Sequence, residues 1–124
     1  MLHDKPAMLT FSVDSLDKAK DFYGQVLGLE VDDSQGMLQV KMNGLEAWLY
    51  EKKDHQPATY TLLNFTVDDL DAKMKEMRDA GITFEQYDDP KTDEHGVADY
   101  GMMRIAFFND PAGNNHAVLQ MVKE

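Results

Sequence analysis

Residues 11–31 read FSVDSLDKAKDFYGQVLGLEV, and the motif that opens them returns at residues 65–71 as FTVDDLD. Both copies start with apolar and polar residues in alternation, the period of a strand, and run straight into apolar residues three and four apart, the period of a helix. Each helical stretch stops at a glycine, Gly28 or Gly81. The chain therefore reads as a duplicated strand–helix unit.

Outward from the first copy, Leu9, Phe11 and Val13 are expected to face the core, with Met8, Thr10 and Ser12 on the other side of the strand, because side chains alternate. Asp14 is the expected helix cap. Leu16, Ala19, Phe22, Tyr23, Val26 and Leu27 form one apolar stripe. Strands follow over 29–32, 37–42 and 46–51, separated by Ser34-Gln35-Gly36 and by Asn43-Gly44, a strong hairpin signal. That order is βαβββ. The polar run KKDHQPAT, 52–59, has the proline and charge of a connection, so the first module spans about 7–52, the linker 53–59 and the second module about 60–124.

In the second module a strand over 60–67 leads to a helix capped by Asp68 and carrying Leu70, Met74 and Met77. The next strand is expected over 82–87. A long loop, 88–101, reads DDPKTDEHGVADYG and has the length of a lid or a mobile segment. Strands over 102–109 and 115–122 end the chain, joined by the turn Asp110-Pro111-Ala112-Gly113-Asn114. The expected fold class is α+β, one domain of two tandem βαβββ modules.

Composition narrows the partners. A net charge of −11 on 124 residues opposes binding to nucleic acid or an anionic membrane, which both need lysine and arginine to neutralise phosphate. The absence of cysteine removes thiol chemistry and fits a reducing cytoplasm. No apolar run approaches the roughly 18 residues of a spanning helix. No glycine-rich phosphate loop, Gly-x-Ser-x-Gly or His-Glu-x-x-His occurs.

Three stretches, DFYGQVLGLEV, FTVDDLDAKMKEMRDAGITFEQ and FFNDPAGN, resemble the vicinal oxygen chelate superfamily of glyoxalases, bleomycin-resistance proteins and extradiol dioxygenases. The resemblance covers essentially the whole chain. It implies a cupped, mostly antiparallel sheet with helices on the convex side, a ligand or metal in the concavity, and a homodimer.

The resemblance also implies where metal ligands would stand, and the chain departs from the family there. The corresponding positions are Met8 on the first strand, Trp48 on the fourth, Leu62 on the fifth and Ala117 on the last. Divalent metals need imidazole, carboxylate or thiolate, and a thioether is a poor ligand for a hard cation. No metal and no other cofactor is expected. His3, His55 and His95 fall in the lead-in, linker and long loop, and His116, one residue from Ala117, is expected on the opposite face of its strand.

With these substitutions the concave face is expected to present Met8, Thr10, Trp48, Tyr50, Leu62, Asn64 and Ala117, the composition of a pocket for a flat organic molecule. A closed, packed core fits the same residues. Arg104 suits a ligand carboxylate or one of the many acids of the chain. No catalytic residue stands out, and Glu46, on one strand face with Trp48 and Tyr50, is the weak candidate. The expected function is metal-free binding of an aromatic or amphipathic small molecule; the alternative is a metal-dependent lyase or dioxygenase.

Overall fold

The computed structural model describes residues 1–122; Lys123 and Glu124, expected at the end of the second module, lie outside the described residues. The chain divides into two compact units, Met1–Pro57 and Ala58 onward.

In the first unit, β1 (Leu9–Val13) leads into α1 (Leu16–Lys20), which continues as a π-helical segment, Asp21–Val26. Strands β2 (Glu30–Asp32), β3 (Leu38–Met42) and β4 (Leu45–Glu51) complete a four-stranded sheet in the order β1-β4-β3-β2. Only the β1–β4 pair is parallel. Phe11, Val13, Leu38, Val40, Ala47 and Leu49 are buried on one face with Ala19 and Tyr23 of the helix. The Phe11 and Tyr23 rings meet edge to face, with centroids 6.4 Å apart.

The second unit repeats the order. Strand β5 (Thr61–Thr66), helix α2 (Leu70–Asp79) and strands β6 (Val97–Asp99), β7 (Met103–Asn109) and β8 (Asn115–Met121) give a sheet ordered β5-β8-β7-β6. Here too the first strand pairs in parallel with the last. Leu70 and Met74 are buried on the helix, as are Leu63, Phe108, Val118 and His116 on the sheet.

The two strand–helix junctions share a device. The Leu16 N–H donates to Glu51 Oε1 at 3.0 Å, and the Leu70 N–H donates to Gln120 Oε1 at 2.8 Å. Each helix thus has its first backbone N–H, which has no partner inside the helix, satisfied by a side chain of the strand that pairs in parallel with the one before it. The caps fall one residue later than the sequence suggests. Ser15 Oγ accepts from the Lys18 N–H at 3.3 Å, and Asp69 Oδ1 from the Ala72 N–H at 3.1 Å. A cap must reach the N–H three residues on, and with Leu16 and Leu70 as first helical residues that position is Ser15 or Asp69, not Asp14 or Asp68.

Three further expectations change. The i to i+5 bond from the Leu27 N–H to the Phe22 carbonyl, 2.9 Å, widens the helix. The extra residue per turn rotates the apolar stripe, so Tyr23 is buried while Val26 is 36% exposed. Residues 82–87 form no strand; Phe84 makes one isolated bridge to Phe108, and the edge strand is Val97–Asp99, within the stretch expected to be a long loop. That stretch is ordered by Asp93, whose Oδ1 accepts from the N–H groups of His95 and Val97, both at 2.9 Å. These N–H donors, Val97 foremost, hold the Asp93 carboxyl below the usual carboxylate range. The third change is a bulge in β5: Thr61 lies opposite Asn115 but Asn64 lies opposite Ala117, three steps against two.

Candidate functional site

The face of the first sheet turned away from α1 follows from the register. Thr10, Trp48 and Gln39 stand side by side on β1, β4 and β3. Ser12 and Tyr50 form the next row, and Lys41 stands opposite Glu46. Met8 precedes β1 and is half exposed. Among the expected residues, then, Thr10, Trp48 and Tyr50 share one face with Glu46. The indole N–H of Trp48 donates to Glu46 Oε1 at 2.9 Å. Because Glu46 is two residues back on the same strand, this bond lays the ring along β4. At one end of the face, Ser12 Oγ and His55 Nδ1 are 2.6 Å apart, which ties residue 55 of the linker to β1.

The second sheet sorts its residues differently from an unbroken alternation. Asn64, Thr66, Ala117, Leu119, Ile105 and Phe107 share a face. Ala98, Ile105, Phe107, Ala117 and Leu119 form a buried apolar cluster against which Tyr87 and Met103 pack. Ala117, an expected ligand contact, is fully buried in it, while Asn64 is exposed at its β5 side. Leu62 sits in the bulge and is partly buried.

A polar chain borders this cluster. Thr61 Oγ1 donates to Asn115 Oδ1 at 2.7 Å, Asn115 Nδ2 donates to Asn109 Oδ1 at 3.2 Å, and Asn109 Nδ2 donates to Glu85 Oε1 at 3.0 Å. The Tyr87 hydroxyl accepts from Asn115 at 3.4 Å. Burial, reinforced by the Glu85 charge, pushes its phenol above the usual range and keeps it protonated. Sequence reading passes over this chain because asparagines beside a turn have an ordinary explanation as turn residues.

Arg104 and His116 lie on the other face, with Phe108 and Gln120. Arg104 Nη2 pairs with Asp71 on α2 at 3.1 Å. His116 is fully buried; its Nδ1 accepts from the Leu63 N–H at 3.3 Å, leaving Nε2 to carry the proton, 4.0 Å from Asp110 Oδ2. Burial lowers its pKa to about 4, against an opposing pull from Asp110. The same Asp110 accepts from the N–H groups of Ala112 and Asn114, closing the turn before β8. His116 is therefore a neutral core residue that braces this turn. A shallow depression of about 440 Å³ at the start of α2 is walled by Asp68, Asp69 and Glu76 and contains none of the expected ligand contacts.

The donor set does not fit the divalent metal that the family resemblance implies. Met8, Leu62 and Ala117 offer a thioether and two hydrocarbons, and the indole nitrogen of Trp48 is a donor already committed to Glu46. Among the described residues no group of three or more His, Asp or Glu side chains is arranged to hold a metal ion. Among the same residues no helix is long and apolar enough to cross a membrane.

Comparison with known proteins places this geometry. The family model described as Glyoxalase/Bleomycin resistance protein/Dioxygenase superfamily matches residues 5–118. No curated protein sequence matches the chain. Among solved structures, a putative glyoxalase family protein from Bacillus anthracis is 19% identical with a TM-score of 0.71, over 98% of this chain and 100% of that one. A glyoxalase/bleomycin resistance protein/dioxygenase from Alicyclobacillus acidocaldarius is 18% identical with a TM-score of 0.71, over 97% and 93%. TnmS3, an antibiotic binding protein from Streptomyces sp. CB03234, is 25% identical with a TM-score of 0.69, over 96% and 98%. With two βαβββ units, a parallel first-to-last strand pair in each and a family match over most of its length, the chain belongs to the glyoxalase/bleomycin resistance protein/dioxygenase superfamily.

Proposed function

We propose that this protein binds a flat aromatic or amphipathic organic molecule, without a metal ion, against the Trp48 face of its first unit. One observation carries this: the indole is partly buried at the middle of a sheet face with its N–H fixed on Glu46 at 2.9 Å. A ring held by its edge offers its π surface, and stacking on a pre-oriented aromatic costs little side-chain entropy. Met8, Thr10 and Tyr50 of the same unit complete the proposed set; Leu62, Asn64 and Ala117 stand on the second unit, where Ala117 is fully buried, and are not part of it. Arg104 is left out, because its guanidinium is engaged with Asp71. The antibiotic-binding protein at 25% identity supports binding of a small molecule, and the homodimer implied by the family belongs to the same proposal.

The test uses the one tryptophan of the chain. Dialysed protein, free of stoichiometric metal by elemental analysis, is titrated with a broad set of flat organic compounds while Trp48 emission is followed. Saturable quenching by some member is expected. Emission that no compound changes, or a metal that survives dialysis at one per chain, would overturn the proposal; light scattering checks the dimer.

A further inference from the structure

The row through Trp48 carries more information than its ring. Thr10 and Gln39 are the register partners of Trp48 on the two flanking strands. Among the described residues neither the Thr10 hydroxyl nor the Gln39 amide has a hydrogen-bond partner. Adjacent strands lie about 4.8 Å apart, so the two groups stand about 10 Å from each other across the indole, the span of two or three fused rings.

Each part of the row limits what can lie on it. The indole has spent its N–H on Glu46, leaving only its π face for a ligand. Lys41 is the register partner of Glu46, so one positive and one negative residue flank the row and it asks for no net charge. The Gln39 amide offers a carbonyl acceptor and N–H donors side by side, the complement of an adjacent N–H and C=O. We infer that the Thr10–Trp48–Gln39 row selects a neutral, flat, fused-ring lactam or imide, stacked on Trp48 with its N–H/C=O edge paired to Gln39. Gln39 is then a specificity-determining residue. This depends on the Trp48 face taking a ligand at all, as proposed above.

The experiment titrates Trp48 emission with three probes of similar shape: 1,8-naphthalimide, its N-methyl derivative, and the hydrocarbon acenaphthene. The wild type should bind the imide about tenfold more tightly than the N-methyl compound, the worth of one well-placed hydrogen bond. Gln39→Leu should erase that preference and leave acenaphthene binding unchanged. Gln39→Met, a near isostere, should do the same, so the outcome does not depend on one variant folding. Thr10→Val should weaken the imide a few-fold. Equal affinity of the wild type for all three probes, or a preference that survives both Gln39 variants, overturns the lactam inference while leaving ligand binding at Trp48 intact. Silence from all three overturns it too, and the broader compound set then decides ligand binding separately.

Discussion

Trp48 and Glu46, two residues apart on β4, are joined by an indole N–H to carboxylate bond of 2.9 Å. A strand sends both side chains to the same face, so the carboxylate can hold the ring down along the sheet. The bond couples Glu46, the weak catalytic candidate of the sequence, to the indole face on which the proposed ligand binding rests.

Glu46→Leu should free the ring. The expected signs are a red-shifted Trp48 emission with lower anisotropy, and affinity for any Trp48-quenching ligand reduced about three- to tenfold, since hydrogen bonds to charged acceptors are worth roughly 1.5–3 kcal/mol when buried and less when part-exposed. Fold stability should change by under about 1 kcal/mol. An unchanged anisotropy would show that the bond does not position the indole.

His116 predicts a pH dependence with a definite sign. Its folded pKa of about 4 lies below its ordinary value, so between these values the unfolded chain binds the extra proton and acid favours unfolding. The stability it contributes is present above about pH 6.5 and is lost as pH falls toward 4; between pH 7 and 5 the loss is about 2 kcal/mol. Urea midpoints across that range measure it. His116→Gln retains an acceptor for the Leu63 N–H and should flatten the slope; a slope unaltered in this variant would assign the acid sensitivity elsewhere.

The shared junction device predicts unequal costs. Gln120→Leu leaves the Leu70 N–H without its partner in a part-buried setting and should destabilise the protein by about 1–2 kcal/mol. Glu51→Leu removes the matching partner of Leu16, but that N–H is exposed and water replaces the carboxylate, so a few tenths of a kcal/mol is expected. Equal costs would mean that burial does not decide the value of the contact.

How much of this was legible in the chain depends on the length of each signal. The repeated Val-Asp-x-Leu-Asp motif marks two strand–helix junctions, and Asn43-Gly44 marks the β3–β4 hairpin, because each combines a period with a turn residue. β6 is three residues long, too short to show a period, so the stretch 82–87, which carries Ile82, Phe84 and Tyr87, reads as the better strand. The bulge between Thr61 and Asn64 and the π turn after Lys20 each add one residue to a pattern that the sequence writes without a break. In the candidate site Trp48 was legible because indole is rare; Gln39 was not, because a polar residue on a strand looks like solvent-facing surface until the register sets it beside the ring.

Gly96 separates a required glycine from an ordinary one. It lies at φ +92, and a Cβ there would meet the Glu85 carbonyl oxygen at 2.9 Å and the Phe84 Cβ at 3.1 Å. Both neighbours are held in place: the Glu85 N–H donates to the Phe107 carbonyl at 2.8 Å, and Phe84 bridges to Phe108. Gly44, at φ +88 in the β3–β4 turn, has open space around it. Gly44→Ala therefore carries only the conformational cost, about 1 kcal/mol, whereas Gly96→Ala adds a clash with backbone and should cost about 2–4 kcal/mol. The second variant should also lose amide protection at Ala98, where β6 pairs with β7, and at Val97, whose N–H donates to Asp93. Matching urea midpoints for the two variants would show that the 85–96 contact gives way without cost and does not hold β6 in place.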